Sequence, residues 1–155
     1  MTIRFLDFVA ESVALRDLRM RALYGGRSSA RAIYQVDEDG LHIGAYTEAG
    51  TLVGCASLFR NSERILQLRG MGTADSVRGT GVGRDIIRFA ESFARMNDVA
   101  RLWCNARAAA VGFYERCGWA KEGAEFDVSG IGGHFVMVST AVGEATHTAN
   151  RVPEV

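Results

Sequence analysis

The run Arg78-Gly79-Thr80-Gly81-Val82-Gly83 is the stretch whose residue types could do chemistry together. Glycine lets backbone approach a ligand closely and adopts the positive φ of a tight turn without cost. The residues that follow carry the clearest helical period in the chain, so the loop feeds a helix N-terminus. Such an end offers unpaired N–H groups and the positive end of a dipole. Together these suit an anion, most often a phosphate, and Arg78 and Arg84 flank the loop with permanent positive charge. The same glycines would also permit tight strand-to-helix packing with no ligand at all. Two phosphate loops of fixed spacing are excluded. A dinucleotide fingerprint G-x-G-x-x-G needs a third glycine where this chain has Arg84, and a P-loop needs a lysine that is absent after these glycines.

The elements that must position this loop can be read from periodicity. Residues 11–24 read as a helix on Val13, Leu15, Leu18, Ala22 and Leu23, stopped by Gly25-Gly26. Residues 27–39 are polar and mixed, a short helix or loop near an opening. Residues 42–46 and 51–59 read as strands joined by a turn at Glu48-Ala49-Gly50. Residues 65–73 alternate as a strand, with Ile65, Gln67, Arg69 and Met71 on one face. The helix over 82–96 has an apolar stripe of Val82, Ile86, Phe89, Ala90 and Phe93, with Arg84, Asp85, Arg88, Glu91 and Arg95 on its wet face. A buried strand over 99–106, a short helix over 108–117 capped by Gly118, and strands over 119–128 and 134–140 around the glycine-rich turn 129–133 complete the pattern. Helices lying between strands predict a mixed α/β or α+β domain over residues 1–142 on one twisted sheet. Residues 143–155 are small, polar and without period, which predicts a flexible tail.

On these residues the chain resembles the GNAT superfamily of N-acetyltransferases. The loop resembles its acyl-CoA signature Q/R-x-x-G-x-G/A, with Arg78, Gly81 and Gly83 in the matching positions. Downstream, LWCNARAAAVGFYERCGW (102–119) resembles the second signature through Asn105, Phe113-Tyr114-Glu115 and Gly118-Trp119. The resemblance covers roughly residues 51–140, and the N-terminal third is compatible with it. It implies a single GNAT-like domain whose one twisted, mostly antiparallel sheet is splayed in the middle and flanked by helices. Acetyl-CoA is the implied co-substrate. Its pantetheine arm would pair with backbone groups of Met71, Gly72 and Thr73, and its pyrophosphate would lie on the N–H groups of Gly79, Thr80, Gly81, Val82, Gly83 and Arg84. Asn105, with a donor and an acceptor to offer, would hydrogen-bond the pantetheine amides. Tyr114 would be the general acid, since a phenol of pKa about 10 can protonate a departing thiolate whose thiol titrates near about 8.5.

The general base departs from several branches of the family, which carry a glutamate on the strand before the loop. Residues 65–73 hold no carboxylate. Asp127 and His134, bracketing the final hairpin, are the candidates, with a water chain as the other route. Arg69 cannot be a base, but it suits a carboxylate on the acceptor.

Composition bounds the partners. A chain of 155 residues, 48% hydrophobic, builds one core without staples. Eighteen Lys and Arg balance eighteen Asp and Glu, so no basic surplus points to nucleic acid. No apolar run reaches the roughly 20 residues of a bilayer span, and Arg4 and Asp7 interrupt the N-terminal apolar stretch where a secretory signal would be uncharged. The expected location is the cytoplasm, with no membrane partner. Cys55, Cys104 and Cys117 are odd in number, share no close pair and sit among apolar neighbours, which predicts reduced buried thiols and no metal site. The resemblance implies direct attack by a primary amine; no Cys–His pair argues for an acetyl-cysteine intermediate, and strand alternation turns Cys104 away from Asn105. The acceptor is a small molecule or a peptide, and a homodimer is common in the family. The alternative is an acyl-CoA sensor or interaction module with the same fold and no turnover.

Overall fold

The computed structural model describes residues 1–26, 32, 34 and 37–143. Its strands are β1 (Thr2–Phe5), β2 (Leu41–Tyr46), β3 (Leu52–Ser62), β4 (Ile65–Thr73), β5 (Arg101–Arg107), β6 (Trp119–Val128) and β7 (Gly132–Ser139). The helices are α1 (Phe8–Leu23), α2 (Val82–Met96) and α3 (Val111–Arg116). The strands form one open sheet, mostly antiparallel, in the order β1-β2-β3-β4-β5-β7-β6. The mixed α/β architecture expected from the sequence is the one observed. Two compact units make it up: residues 1–59 with 68–90, and residues 60–67 with 91–155.

In the first unit β1 pairs antiparallel with β2, from Thr2↔Tyr46 to Phe5↔Ile43, and β2 pairs antiparallel with β3. Four residues are too few to show a period, so β1 was not legible in the sequence. Helix α1 begins three residues ahead of its apolar period because its cap lies there. The Asp7 side chain accepts from the N–H groups of Val9 (3.0 Å) and Ala10 (3.4 Å), while Glu11 accepts from the Asp7 N–H (2.8 Å). The Arg4 and Tyr46 side chains donate to the same carboxylate and hold the Glu11 pKa down at about 2. Leu6, Leu15, Leu18, Tyr46 and Cys55 form a core that Phe8, Ala22, Leu52 and Ala74 extend.

A charged residue sits inside this apolar stripe. Arg19 is 0% exposed and donates two hydrogen bonds to Asp37 (2.8 and 3.0 Å), one to the Ala32 carbonyl (3.2 Å) and one to Ser57 Oγ (2.8 Å). His42 closes the network. Its Nε2 lies 2.7 Å from the Asp37 carbonyl and must donate there, so Nδ1 accepts from the Ser57 hydroxyl at 2.7 Å. Burial lowers the His42 pKa, in keeping with a neutral ring. Of the segment 27–39, Asp37–Asp39 forms a 3₁₀ turn, while residues 27–31, 33, 35 and 36 lie outside the described residues.

In the second unit β5 pairs antiparallel with β7, and β7 with β6. The parallel ladder between β4 and β5 covers three pairs, Ile65↔Arg101, Leu66↔Leu102 and Gln67↔Trp103. Helix α3 is shorter than the sequence suggests, because Ala108–Ala110 is a 3₁₀ turn. Glu91 corrects a sequence expectation. It lies on the charged side of the α2 period, yet it is 7% exposed and accepts from Trp119 Nε1 and Ser139 Oγ, both at 2.8 Å. A buried indole N–H needs an acceptor, and the carboxylate supplies it. Of the expected tail, residues 144–155 lie outside the described residues.

Asp37→Ala removes the one carboxylate that, among the described residues, pairs with buried Arg19. It should lower unfolding stability by about 3–5 kcal/mol, the range for breaking one side of a buried ion pair. Urea denaturation reads this directly, and an unchanged midpoint would mean that Arg19 is solvated in the native protein.

Candidate active site

The glycine loop is built by a short chain of local hydrogen bonds after β4. The Ala74 N–H donates to the Val53 carbonyl (2.8 Å), Val77 N–H to Ala74 (3.1 Å), and Thr80 N–H to Val77 (3.2 Å). Gly79 and Gly81 then take φ of +77° and +92°, a region costly for any side chain, and open space lies where a Cβ would stand on either. The first helical bond of α2 runs from Asp85 N–H to the Gly81 carbonyl at 3.0 Å. Among the described residues, the N–H groups of Gly79, Gly81, Val82, Gly83 and Arg84 donate to no partner. Thr80 departs from the expected set: its N–H and its hydroxyl both serve the Val77 carbonyl.

Five free donors at one helix start, with the positive end of a 15-residue dipole behind them, form a pre-built anion cradle. Of the flanking arginines, exposed Arg78 is paired with Asp75 at 2.8 Å, whereas exposed Arg84 has no carboxylate partner among the described residues.

Upstream, Met71, Gly72 and Thr73 are half-buried at the end of β4. Gly72 packs closely on α1, since a Cβ there would stand 3.0 Å from Ala22 Cβ and the helix would have to give by a few tenths of an ångström. The strand's alternation holds through Arg69 and then breaks at Gly70, whose φ is +62°.

On β5 the sequence alternation is borne out: Cys104 is 2% exposed and Asn105 is exposed. Tyr114 belongs with Cys104. The tyrosine is buried beside the Cys104 thiol, and its ring lies 5.2 Å from Trp119 and 5.2 Å from Phe113. Burial first, and the thiol second, push the Tyr114 phenol well above its ordinary value, so it stays protonated through the physiological range. Burial likewise pushes the Cys104 thiol up to about 12. Tyr114 and Asn105 therefore meet opposite faces of β5.

The two base candidates are separated in the same way. His134 is opposite Arg107 on β5 and Phe126 on β6, whereas Asp127 is opposite Gly133. Successive register positions alternate faces, so His134 shares the face of Asn105 and Arg107, and Asp127 points the other way. His134 is 6% exposed. Its Nδ1 donates to the Gly132 carbonyl at 2.9 Å, which leaves Nε2 as the basic nitrogen. No cluster of His, Cys, Asp and Glu that could hold a metal occurs among the described residues. No described helix is long and apolar enough to cross a membrane.

The chain matches the acetyltransferase (GNAT) domain family over residues 17–138. It is 35% identical over 132 residues to the uncharacterized N-acetyltransferase YitI of Bacillus subtilis (strain 168), covering 80% of this chain and 88% of that one. Among solved structures, a protein of Lactobacillus plantarum provisionally described as an N-acetyltransferase superposes with a TM-score of 0.79 at 20% identity, over 89% of this chain and 96% of the other. An aminoglycoside 6'-N-acetyltransferase complexed with coenzyme A gives 0.77 at 13% identity, over 93% and 99%. At these identities the two structures are similar in fold.

The thiols offer a direct check on this packing. Cys55 is buried and pushed up to about 12 like Cys104, while Cys117 is half-buried. Alkylation of the native protein near pH 8 should label Cys117 alone, and all three thiols only after unfolding. Mass spectrometry that finds Cys104 labelled in the native protein would mean that the Tyr114–Cys104 contact opens readily.

Proposed function

Because the chain belongs to the GNAT acetyltransferase family, we propose that it moves an acetyl group from acetyl-CoA to a primary amine by direct attack. The observation that carries this reading is the start of α2. Its free N–H groups at Gly79, Gly81, Val82, Gly83 and Arg84 fit a pyrophosphate, with Arg84 as the unpaired counter-charge. The backbone of Met71, Gly72 and Thr73 takes the amides of the pantetheine arm, and exposed Asn105 hydrogen-bonds the same arm.

In the reaction the amine nitrogen bonds to the acetyl carbonyl carbon, and the carbon–sulfur bond breaks. The sulfur leaves with a proton from the Tyr114 hydroxyl, and the nitrogen gives up its own. Tyr114 carries the one hydroxyl proton of the second signature; burial raises its pKa, so the proton moves only as negative charge develops on the sulfur. The two base candidates lie on opposite faces: His134 on that of Asn105, with Nε2 left as the basic nitrogen by the Nδ1 bond to Gly132, and Asp127 on the face against which Tyr114 packs.

Two substitutions test the reading in separable parts. Valine cannot take the φ of +92° at residue 81 without strain, so Gly81→Val should weaken CoA at least roughly tenfold in calorimetry while the protein stays folded. Undiminished CoA binding would remove the cradle from the site.

Tyr114→Phe keeps the ring and deletes the proton. Acetyl-CoA binding should stay within a few-fold, while turnover, followed as free thiol released in the presence of an amine, should fall by about 10²-fold. Wild-type turnover in this variant would take Tyr114 out of the mechanism. Tight CoA binding with no thiol release on any amine would favour the sensor.

A further inference from the structure

The first unit holds a second cluster of chemistry-bearing groups. Tyr34 lies under two guanidinium groups, with the carbon of Arg19 at 4.0 Å and that of Arg69 at 4.4 Å from its ring centroid. Arg69 also lies 5.6 Å from the centroid of Phe59. The two cations are in different electrostatic states. Arg19 is wholly buried and its charge is cancelled by the bidentate contact with Asp37. Arg69 is exposed, and among the described residues it neither pairs with a carboxylate nor donates a hydrogen bond.

The backbone beside Arg69 is shaped for this arrangement. Gly70 has φ of +62°, and a Cβ there would come within 3.0 Å of the Tyr34 hydroxyl and 3.1 Å of Arg19 Nε. Arg19 Nε is itself a buried donor with no partner among the described residues. A side chain at residue 70 would be strained by this φ and would press on both groups. Aromatic faces hold a guanidinium by attraction to its flat surface and leave the N–H edge free. Arg69 is therefore held in place with its planar fork unspent, which is the geometry that takes a carboxylate through two parallel hydrogen bonds. One uncompensated positive charge matches one carboxylate. It opposes an amine that carries several positive charges.

We propose that Arg69, held on Tyr34 and Phe59, is the subsite for a carboxylate on the acceptor, so that the substrates are amines bearing a carboxylate. The proposal rests on the acetyl-transfer reading and narrows its substrate class. Arg69 is two residues ahead of Met71 on β4, about 7 Å along the strand from the backbone which that reading gives to the pantetheine arm.

The test pairs each of a series of ω-amino acids of increasing chain length with its carboxamide, and adds spermidine and an aminoglycoside as polycations. Each is presented with acetyl-CoA, and thiol release is followed. The best acid should exceed its amide in kcat/KM by roughly 10- to 100-fold, the range for a charge-assisted hydrogen bond, and should exceed both polycations. In Arg69→Ala the ratio of acid to amide should fall to about one through a rise in KM for the acid, and Arg69→Lys should restore part of it, because charge remains and the fork is lost. Amides or polycations used as well as acids, or a ratio that survives in Arg69→Ala, would overturn the subsite and leave acetyl transfer standing. CoA binding without thiol release on any amine would overturn acetyl transfer, and the subsite with it.

Discussion

A guanidinium removed wholly from water must be given oxygen partners at once, because an unpaired buried cation costs several kcal/mol. Arg19 imposes that constraint on the first unit. Its partners come from the Asp37 turn, the Ala32 carbonyl and the Ser57 hydroxyl of β3, and His42 of β2 is drawn in behind them as a neutral ring with a fixed tautomer. Helix α1 is thereby tied to two strands and to the segment before β2. The same guanidinium lies over Tyr34, so the ring's position, the glycine at residue 70 and the stacked placement of Arg69 all follow from satisfying one buried charge.

The start of α2 shows the opposite treatment of polar groups. There the N–H groups are left free in the open, where water can satisfy them. Two left-handed glycines make this possible by turning the chain into the helix without a side chain over the donors. Rigidity comes from the preceding turn, in which Val77 accepts both the N–H and the hydroxyl of Thr80. A preformed set of donors does not have to be ordered when the ligand arrives, which preserves binding energy that a flexible loop would lose.

The second unit fixes its aromatic cluster through polar contacts of its own. Trp119 is anchored by Glu91, and Tyr114 rests against Trp119 and the Cys104 thiol. Packing of this kind sets both the place and the protonation state of the Tyr114 hydroxyl. Burial disfavours the phenolate, and the neighbouring thiol offers no positive charge to offset that.

Local features were legible in the amino-acid sequence because each depends on neighbours a few residues away. The bounds 65–73, 82–96 and 119–128 follow from hydrophobic period, the loop from glycines ahead of a helix, and the facing of Cys104 and Asn105 from strand alternation. The two ordered motifs also placed the chain in its family. Tertiary structure decided whatever depends on residues far apart in the chain. Arg19 has its anion 18 residues away, Glu91 meets Ser139 48 residues on, and neither partner is announced by local pattern. A charge within the Leu15–Leu18–Ala22 stripe was the one sequence sign that such a partner had to exist. The opposed faces of Asp127 and His134 came from the hairpin register, which the spacing of the two residues leaves open, because a shift of one residue reverses every side chain. Likewise Arg69 could be read as a strand cation suited to a carboxylate, but that it meets no carboxylate among the described residues is a property of what surrounds it, and only the folded chain supplies those surroundings.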